Sequence, residues 1–259
     1  MSAASTASRN ARRALPVPNA LPIAAAFFAG AMNSIAGGGS FLSFPALILA
    51  GVPSIPANAT NSAAMWVGTL GGARAYWGDV QPHKRMLYAM LGISIVGAVL
   101  GASLLLLTPP AAFNRLIPWL LLFATALFAA SPLLTKSPIG DPTHQSWQYV
   151  AQFAVAVYGG YFTAGIGIMM LALLAFSGLP SFNATNGMKN VLAVAINGFS
   201  IVPFLIARII DWHYALPMAI VALIGGYAGA HLFRRVPAIY GRITVIAIGA
   251  IMTVVFFVR

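Results

Sequence analysis

Continuous apolar stretches follow one another along most of the chain, from residue 20 to its end, and short polar or glycine-rich breaks separate them. The stretches do not alternate between apolar and polar positions, which predicts helices and excludes the strands of a membrane barrel. Because a membrane-spanning helix takes about 20 residues, we predict an all-α polytopic membrane protein with about 8 to 10 membrane segments. The apolar segments are 20–36, 40–52, 61–77, 86–107, 112–130, 149–164, 167–179, 187–206, 214–232 and 239–258.

The composition excludes any soluble domain larger than a tail. Of the 259 residues, 60% are hydrophobic and only 7% are charged, whereas about 25% of the residues of a typical soluble domain are charged. A soluble protein of this size has no way to hide so much apolar surface from water. We therefore expect a multi-pass membrane protein that is surrounded by the lipid bilayer.

The charged residues are mostly basic, with 14 Lys and Arg against three Asp, no Glu, and a formal net charge of +11. Most of the basic residues lie in loops or near segment ends, where they orient the protein and contact anionic lipids, so we expect no nucleic-acid binding. The chain has no Cys and no pair of His at i, i+4 spacing. We expect no metal, no cofactor and no enzymatic activity.

The chain divides into two similar halves. Asn58–Asn61 and Asn183–Asn186 have the identical sequence Asn-Ala-Thr-Asn, and in each half this motif follows a glycine-rich break and a short apolar segment. Several matches in the same order at nearly constant offset indicate an internal duplication. The sequence leaves open whether the two repeats are inverted or parallel. We predict a disordered N-terminal tail at 1–18, a membrane repeat at 19–130, a linker at 131–147 and a second membrane repeat at 148–259.

The second apolar segment of each half is too short to cross the bilayer. Segments 40–52 and 167–179 have 13 residues each, which is about 20 Å of helix against a hydrocarbon core of about 30 Å. At least one polar helix end must therefore lie at membrane depth, where it is tolerated only inside protein or along a cavity. Broken helices that meet in this way build transporter sites, and helix N-termini favour anions. The alternative is close helix packing through small residues.

Polar residues around the breaks are candidates for binding an anion. The two Asn-rich motifs are predicted to be turns that offer neutral donors and acceptors, or that cap the helices after them. Lys189 lies in an otherwise uncharged segment where the first half has Ala64. A lone cation at the membrane centre costs about 2.5–3.5 kcal/mol, which an anion would offset, and snorkelling to the lipid headgroups is the alternative. For Asn33, Asn190 and Asn197, interhelical hydrogen bonding and substrate contact are both open. The candidate substrate-binding residues are Gly37, Gly38, Gly39, Ser40, Asn58, Thr60, Asn61, Gly165, Gly167, Asn183, Thr185, Asn186, Lys189 and Asn190.

None of the three acids, Asp79, Asp141 and Asp211, lies in the middle of an apolar segment. Asp79 and Asp211 each precede a segment, which is where helix N-caps occur. Because a proton or sodium pump usually needs an intramembrane carboxylate, we expect an anion rather than a cation to be moved. The residues alone leave open a carrier or facilitator, an anion channel and a non-transporting membrane scaffold, and they do not indicate an oligomeric state.

The run Ile35–Phe41, followed by Pro45, Gly51, Pro53 and Asn58–Asn61, resembles the TauE/SafE sulfite-exporter family. The pattern is repeated in weaker form from Gly159 to Lys189, and the resemblance extends over about residues 20–258. In the second half Ile166 and Ile168 replace the glycine or small residues of the family pattern. The resemblance implies a multi-span permease of the bacterial inner membrane for small sulfur-containing anions, such as sulfite, thiosulfate, sulfoacetate or related organosulfonates. It fixes neither the particular anion nor the direction of transport.

Overall fold

The computed structural model describes residues 17–35, 37–135, 146–232 and 238–258, and these ranges contain helices and short connections without any strand. A short helical turn, Trp77–Val80, and a 3-10 turn, Gln81–His83, precede the helix Lys84–Leu107. The all-α prediction is confirmed. The main helices are α1 (Val17–Ile35), α2 (Ser40–Leu49), α3 (Ser54–Ala75), α4 (Lys84–Leu107), α5 (Pro110–Thr135), α6 (Ser146–Tyr161), α7 (Ile166–Leu174), α8 (Phe182–Ile206), α9 (Trp212–Leu232) and α10 (Ala238–Val258).

The outer surface is apolar, as a bilayer requires. Large hydrophobic side chains such as those of Val150, Ile206 and Leu107 are 71%, 79% and 80% exposed. Three stretches of the described residues are long and apolar enough to cross a membrane, and three shorter apolar helices accompany them. The long stretches are Trp77–Leu107, Pro110–Leu127 and Phe182–Ile206, and the shorter helices are Ala20–Ser34, Ser40–Leu49 and Ile246–Val258.

The two predicted short helices are present and are even shorter than the sequence indicates. Helix α2 has 10 residues and α7 has nine, so each is only about 14–15 Å long. Both are largely buried, and eight of the nine residues of α7 are inaccessible. Each of these helices therefore begins inside the protein, since Ser40 and Ile166 are buried at the glycine breaks.

The Asn-rich motifs do not form the predicted turns, because both lie within helices. Helix α3 already begins at Ser54, where Pro56 falls in the first turn and costs no hydrogen bond. Helix α8 begins at Phe182, capped by Ser181 Oγ, which accepts a hydrogen bond from the Ala184 N–H at 3.1 Å. The predicted capping of α3 and α8 by the Asn side chains is therefore wrong.

The helix-cap prediction for the acids is half right. Asp211 Oδ1 accepts a hydrogen bond from the His213 N–H at 3.0 Å and so caps α9. Asp79 instead lies inside the short turn Trp77–Val80, and α4 begins after His83 without a side-chain cap. The intervening turns separate Asp79 from the helix that it was expected to cap.

The helices of the two halves pack in equivalent pairs. Helix α1, the first of its half, packs against α9, the fourth of the other half, and α6 packs in the same way against α4. Glycines allow both contacts, since a Cβ at Gly225 would collide with the Phe27 carbonyl and one at Gly160 with that of Ala98. Helices α3 and α8 pack together at the centre. This packing, in which the first helix of each half contacts the fourth helix of the other, is what a duplication would produce. The boundaries of the repeats stay predictions.

The predicted tail and linker lie largely outside the described residues. Of the tail, 1–18, only the last two residues are described, and they begin α1. Of the linker, 131–147, residues 131–135 belong to α5 and residues 146–147 to α6. The part between them, 136–145, is outside the described ranges.

Candidate functional site

The backbones of the two helix breaks cross in direct contact at Gly37 and Gly167. A Cβ added to Gly37 would lie 2.9 Å from Gly167 Cα, and one added to Gly167 would lie 2.9 Å from Gly37 Cα. The breaks also depend on glycine for their conformation, because Gly37, Gly38 and Gly165 have φ of +79°, +85° and +90°. Residues with a Cβ avoid this left-handed region. The breaks that the sequence predicts separately therefore form one crossing.

Polar side chains of α8 hold the end of α1 beside the first break. Lys189 Nζ donates to the Asn33 carbonyl at 2.8 Å, and Asn186 Nδ2 donates to the Ser34 carbonyl at 3.0 Å. Asn190 Nδ2 donates to the same Ser34 carbonyl at 3.5 Å. The last carbonyls of a helix have no partner within it, so α8 supplies the donors that the broken helix needs.

Side chains of α3 hold the second break in the same manner. Asn58 Nδ2 donates to the Tyr161 carbonyl at 3.2 Å, and Asn58 Oδ1 accepts from the Thr163 N–H at 3.3 Å. The Ser62 hydroxyl hydrogen-bonds the Thr163 hydroxyl. The third helix of each half thus fixes the break of the other half.

A polar cavity lies beside the crossing, and the helices α2 and α7 begin at its edge. Its volume is about 10 Å³, which is enough for about one water molecule. The positive ends of the two helix dipoles therefore border the cavity. The lining residues are Asn33, Gly37, Gly38, Ser40, Thr69, Thr163, Gly165, Ile166, Gly167, Lys189, Asn190, Ala193 and Asn197.

The charge at the cavity is unbalanced. Lys189 lines the cavity and is only 1% exposed. The residues that line the cavity include no Asp or Glu, and the hydrogen bond to Asn33 offers a carbonyl dipole rather than a full negative charge. Snorkelling is excluded by this burial. A buried cation between two helix N-termini creates a positive site.

The sequence of the chain matches a family model over most of its length. The model of the family "Sulfite exporter TauE/SafE" matches residues 22–256. The chain belongs to the TauE/SafE family. A probable membrane transporter protein of Sinorhizobium is 28% identical over 216 residues, covering 80% of this chain and 79% of the relative. One from Haemophilus influenzae is 27% identical over 213 residues, covering 80% of this chain and 81% of the relative. One from Escherichia coli is 27% identical over 222 residues, covering 81% of this chain and 77% of the relative. No solved structure matches the chain.

This TauE/SafE protein is thus a multi-pass membrane transporter, and half of its predicted site residues line the cavity. The lining set combines the backbone of both breaks with polar side chains of two helices. Gly39 lies just outside, pressed against the Ala29 carbonyl, and its N–H donates to Asn33 Oδ1 at 2.8 Å. The predicted residues that line the cavity are Gly37, Gly38, Ser40, Gly165, Gly167, Lys189 and Asn190.

The predicted residues of the Asn-rich motifs lie outside the cavity lining. Asn58 and Asn186 hold the breaks, and Thr60 Oγ1 accepts from the Asp211 N–H at 2.9 Å. Asn61 accepts a hydrogen bond from Ser43 Oγ. Thr185 donates within its own helix to the Ser181 carbonyl at 3.1 Å. Asn183 is exposed at the start of α8. Asn58 and Asn186 therefore fix the breaks beside the cavity, and none of these motif side chains lines it.

The lining also contains two hydroxyl residues, Thr69 and Thr163, that are not among the predicted residues. Asn33 and Asn197, for which the sequence leaves substrate contact open, line the cavity as well. Asn197 has a signal in the sequence, because Asn190, Ala193 and Asn197 follow the i, i+3, i+7 spacing of one helix face. Thr163 has no such signal, since it lies in the irregular second break.

Proposed function

We propose that this transporter moves small sulfur-containing anions, such as sulfite, thiosulfate, sulfoacetate or related organosulfonates, across the inner membrane. The cavity at the crossing is its binding site. The observation that carries the proposal is the buried ammonium group of Lys189 in a cavity whose lining has no carboxylate. The family name and the sequence resemblance support the sulfur chemistry of the substrate.

The charge favours an anion over a cation. A sodium ion or a proton would need a carboxylate in the membrane, and it would meet Lys189 and two helix N-termini here. An anion instead offsets the cost of burying the ammonium group. Sulfur oxyanions present several acceptor oxygens, and ammonium and hydroxyl groups such as those of Lys189 and Ser40 are suitable donors.

The size of the cavity favours a carrier over an open channel. A cavity of about 10 Å³ is too small for a polyatomic anion and is not a continuous water-filled path. Because Gly37 and Gly167 are in contact, the breaks have to separate for an anion to enter. Such a movement exposes the site to one side at a time, as in alternating access.

The proposal can be tested with purified protein by melting-temperature measurements against sulfite, thiosulfate, sulfate, sulfoacetate, taurine and chloride. A ligand at 100 times its Kd stabilises the folded state by about 2.7 kcal/mol. We expect at least one sulfur anion to raise the melting temperature. Lys189→Met should lose this shift, whereas Lys84→Met, at an exposed lysine where α4 begins, should keep it. No shift with any anion, or the same shift in Lys189→Met, would contradict the proposal.

A further inference from the structure

Two buried amide oxygens at the cavity have no hydrogen-bond partner. Asn190 and Asn197 both line the cavity and are 0% and 2% exposed, and the Oδ1 atom of each is unpaired. Buried polar atoms of native proteins almost always have partners. Of the seven buried side-chain atoms without a partner among the described residues, these two belong to residues that line the cavity, where a ligand can supply what they lack.

The orientation of Asn190 is fixed by its second hydrogen bond. Its Nδ2 donates to the Ser34 carbonyl, and turning the amide round would place two oxygens against each other. The oxygen of Asn190 is therefore an acceptor that stays available. An amide oxygen accepts hydrogen bonds but donates none.

The hydroxyl group of Thr69 adds a third acceptor to the lining. Its proton is directed at the carbonyls of its own helix, at Met65 (3.0 Å) and Trp66 (2.9 Å), which leaves oxygen lone pairs for a ligand. The cavity thus combines one cation, Lys189, with three oxygen acceptors. An anion without hydrogen-bond donors would satisfy the cation but would set its own oxygens against these acceptors.

We infer that the site selects singly charged anions that carry an N–H or O–H donor next to the anionic group over donor-free anions of the same shape. This inference rests on the proposed function, because it names the substrate class of the same cavity. Among inorganic sulfur oxyanions it favours hydrogen sulfite, whose hydroxyl form carries a donor, over the sulfite dianion. A site built to pair with a donor rejects analogues that lack it, since its own polar groups are then left buried and unpaired.

Sulfamate and methanesulfonate test the inference as a matched pair. Both carry one negative charge on an SO₃ group, and they differ by an amino group in place of a methyl group. We expect sulfamate to bind the purified protein about tenfold more tightly or better, measured by calorimetric titration. Asn197→Leu removes one of the three acceptors and should reduce the preference for sulfamate. Asn114→Leu, at an exposed position of α5, should keep the preference for sulfamate.

The outcomes separate this inference from the proposed function. Equal binding, tighter binding of methanesulfonate, or no binding of sulfamate overturns the inference, while sulfite binding that depends on Lys189 leaves the proposed function standing. If no sulfur anion binds at all, both fail. If Asn197→Leu does not fold, Thr69→Val is a second variant that should reduce the preference for sulfamate. The ratio of the two Kd values in the wild-type protein tests the inference without any variant.

Discussion

The Nζ atom of Lys189 lies 2.8 Å from the carbonyl oxygen of Asn33, although the two residues are 156 positions apart. The bond joins the one cation of the cavity lining to the broken end of α1. An ammonium group has three donors, so Lys189 can keep this bond and still donate to an anion. The cation is therefore held in place before the anion arrives, which lowers the ordering cost of binding.

Gly167→Ala tests whether the two breaks touch. Alanine is favoured over glycine within a helix, but its Cβ would lie 2.9 Å from Gly37 Cα. Overpacking of this kind costs about 1–3 kcal/mol, so we expect a lower melting temperature and little transport. Gly78→Ala is the control, since a Cβ there meets nothing within 4 Å. Equal or higher stability of Gly167→Ala would show that the backbones do not cross at this point.

Asn58→Ala and Asn183→Ala form a matched pair within the identical motif. Asn58 is 1% exposed and makes two hydrogen bonds to the second break, whereas Asn183 is exposed. Loss of the Asn58 side chain leaves buried backbone groups unpaired, which costs about 1–3 kcal/mol, while Asn183→Ala should stay within about 0.5 kcal/mol. Chemical or thermal unfolding measures both. Similar losses in the two variants would contradict the described packing.

The different roles of Asn58 and Asn183 also show where sequence reasoning reaches its limit. The glycine breaks and short helices are predictable, because φ values near +80° and a sub-bilayer length follow from local sequence. The environment of each Asn is not predictable from local sequence, because it depends on the residue at which the helix that carries the Asn begins. Helix α3 begins at Ser54, so Asn58 is its fifth residue and lies inside, whereas α8 begins at Phe182 and Asn183 falls in its exposed first turn.

The residues that line the cavity also divide into those that the sequence predicts and those that it does not. Lys189 is predictable from a charge in an apolar segment, since a lone buried cation needs a partner. The partner itself, the Asn33 carbonyl, is not predictable, because a contact between residues 156 positions apart is set by how α1 and α8 pack. Thr163 joins the site through Asn58 of the other half, at a separation of 105 positions. Long-range packing therefore decides which polar residues line the cavity.

Asp211→Asn tests the expectation that the acids do not couple transport to a cation. Asp211 Oδ1 caps α9 by accepting from the His213 N–H, and Asn is as good an N-cap as Asp. We expect this variant to keep both transport and a free energy of unfolding within about 0.5 kcal/mol of wild type, while Asp211→Ala loses about 1 kcal/mol. Loss of transport in a stably folded Asp211→Asn would instead indicate that the carboxylate takes part in coupling.

Counterflow of radiolabelled sulfite into proteoliposomes loaded with unlabelled sulfite tests the central claim most directly. Wild-type protein and Lys189→Met are compared at equal reconstitution, with Lys84→Met as the exposed-lysine control. We expect wild type and the control to accumulate label transiently, and Lys189→Met to fall about tenfold or more, because a hydrogen bond to a charged group contributes about 1.5–3 kcal/mol. Undiminished counterflow in a folded Lys189→Met would contradict an anion site at the crossing of the two breaks.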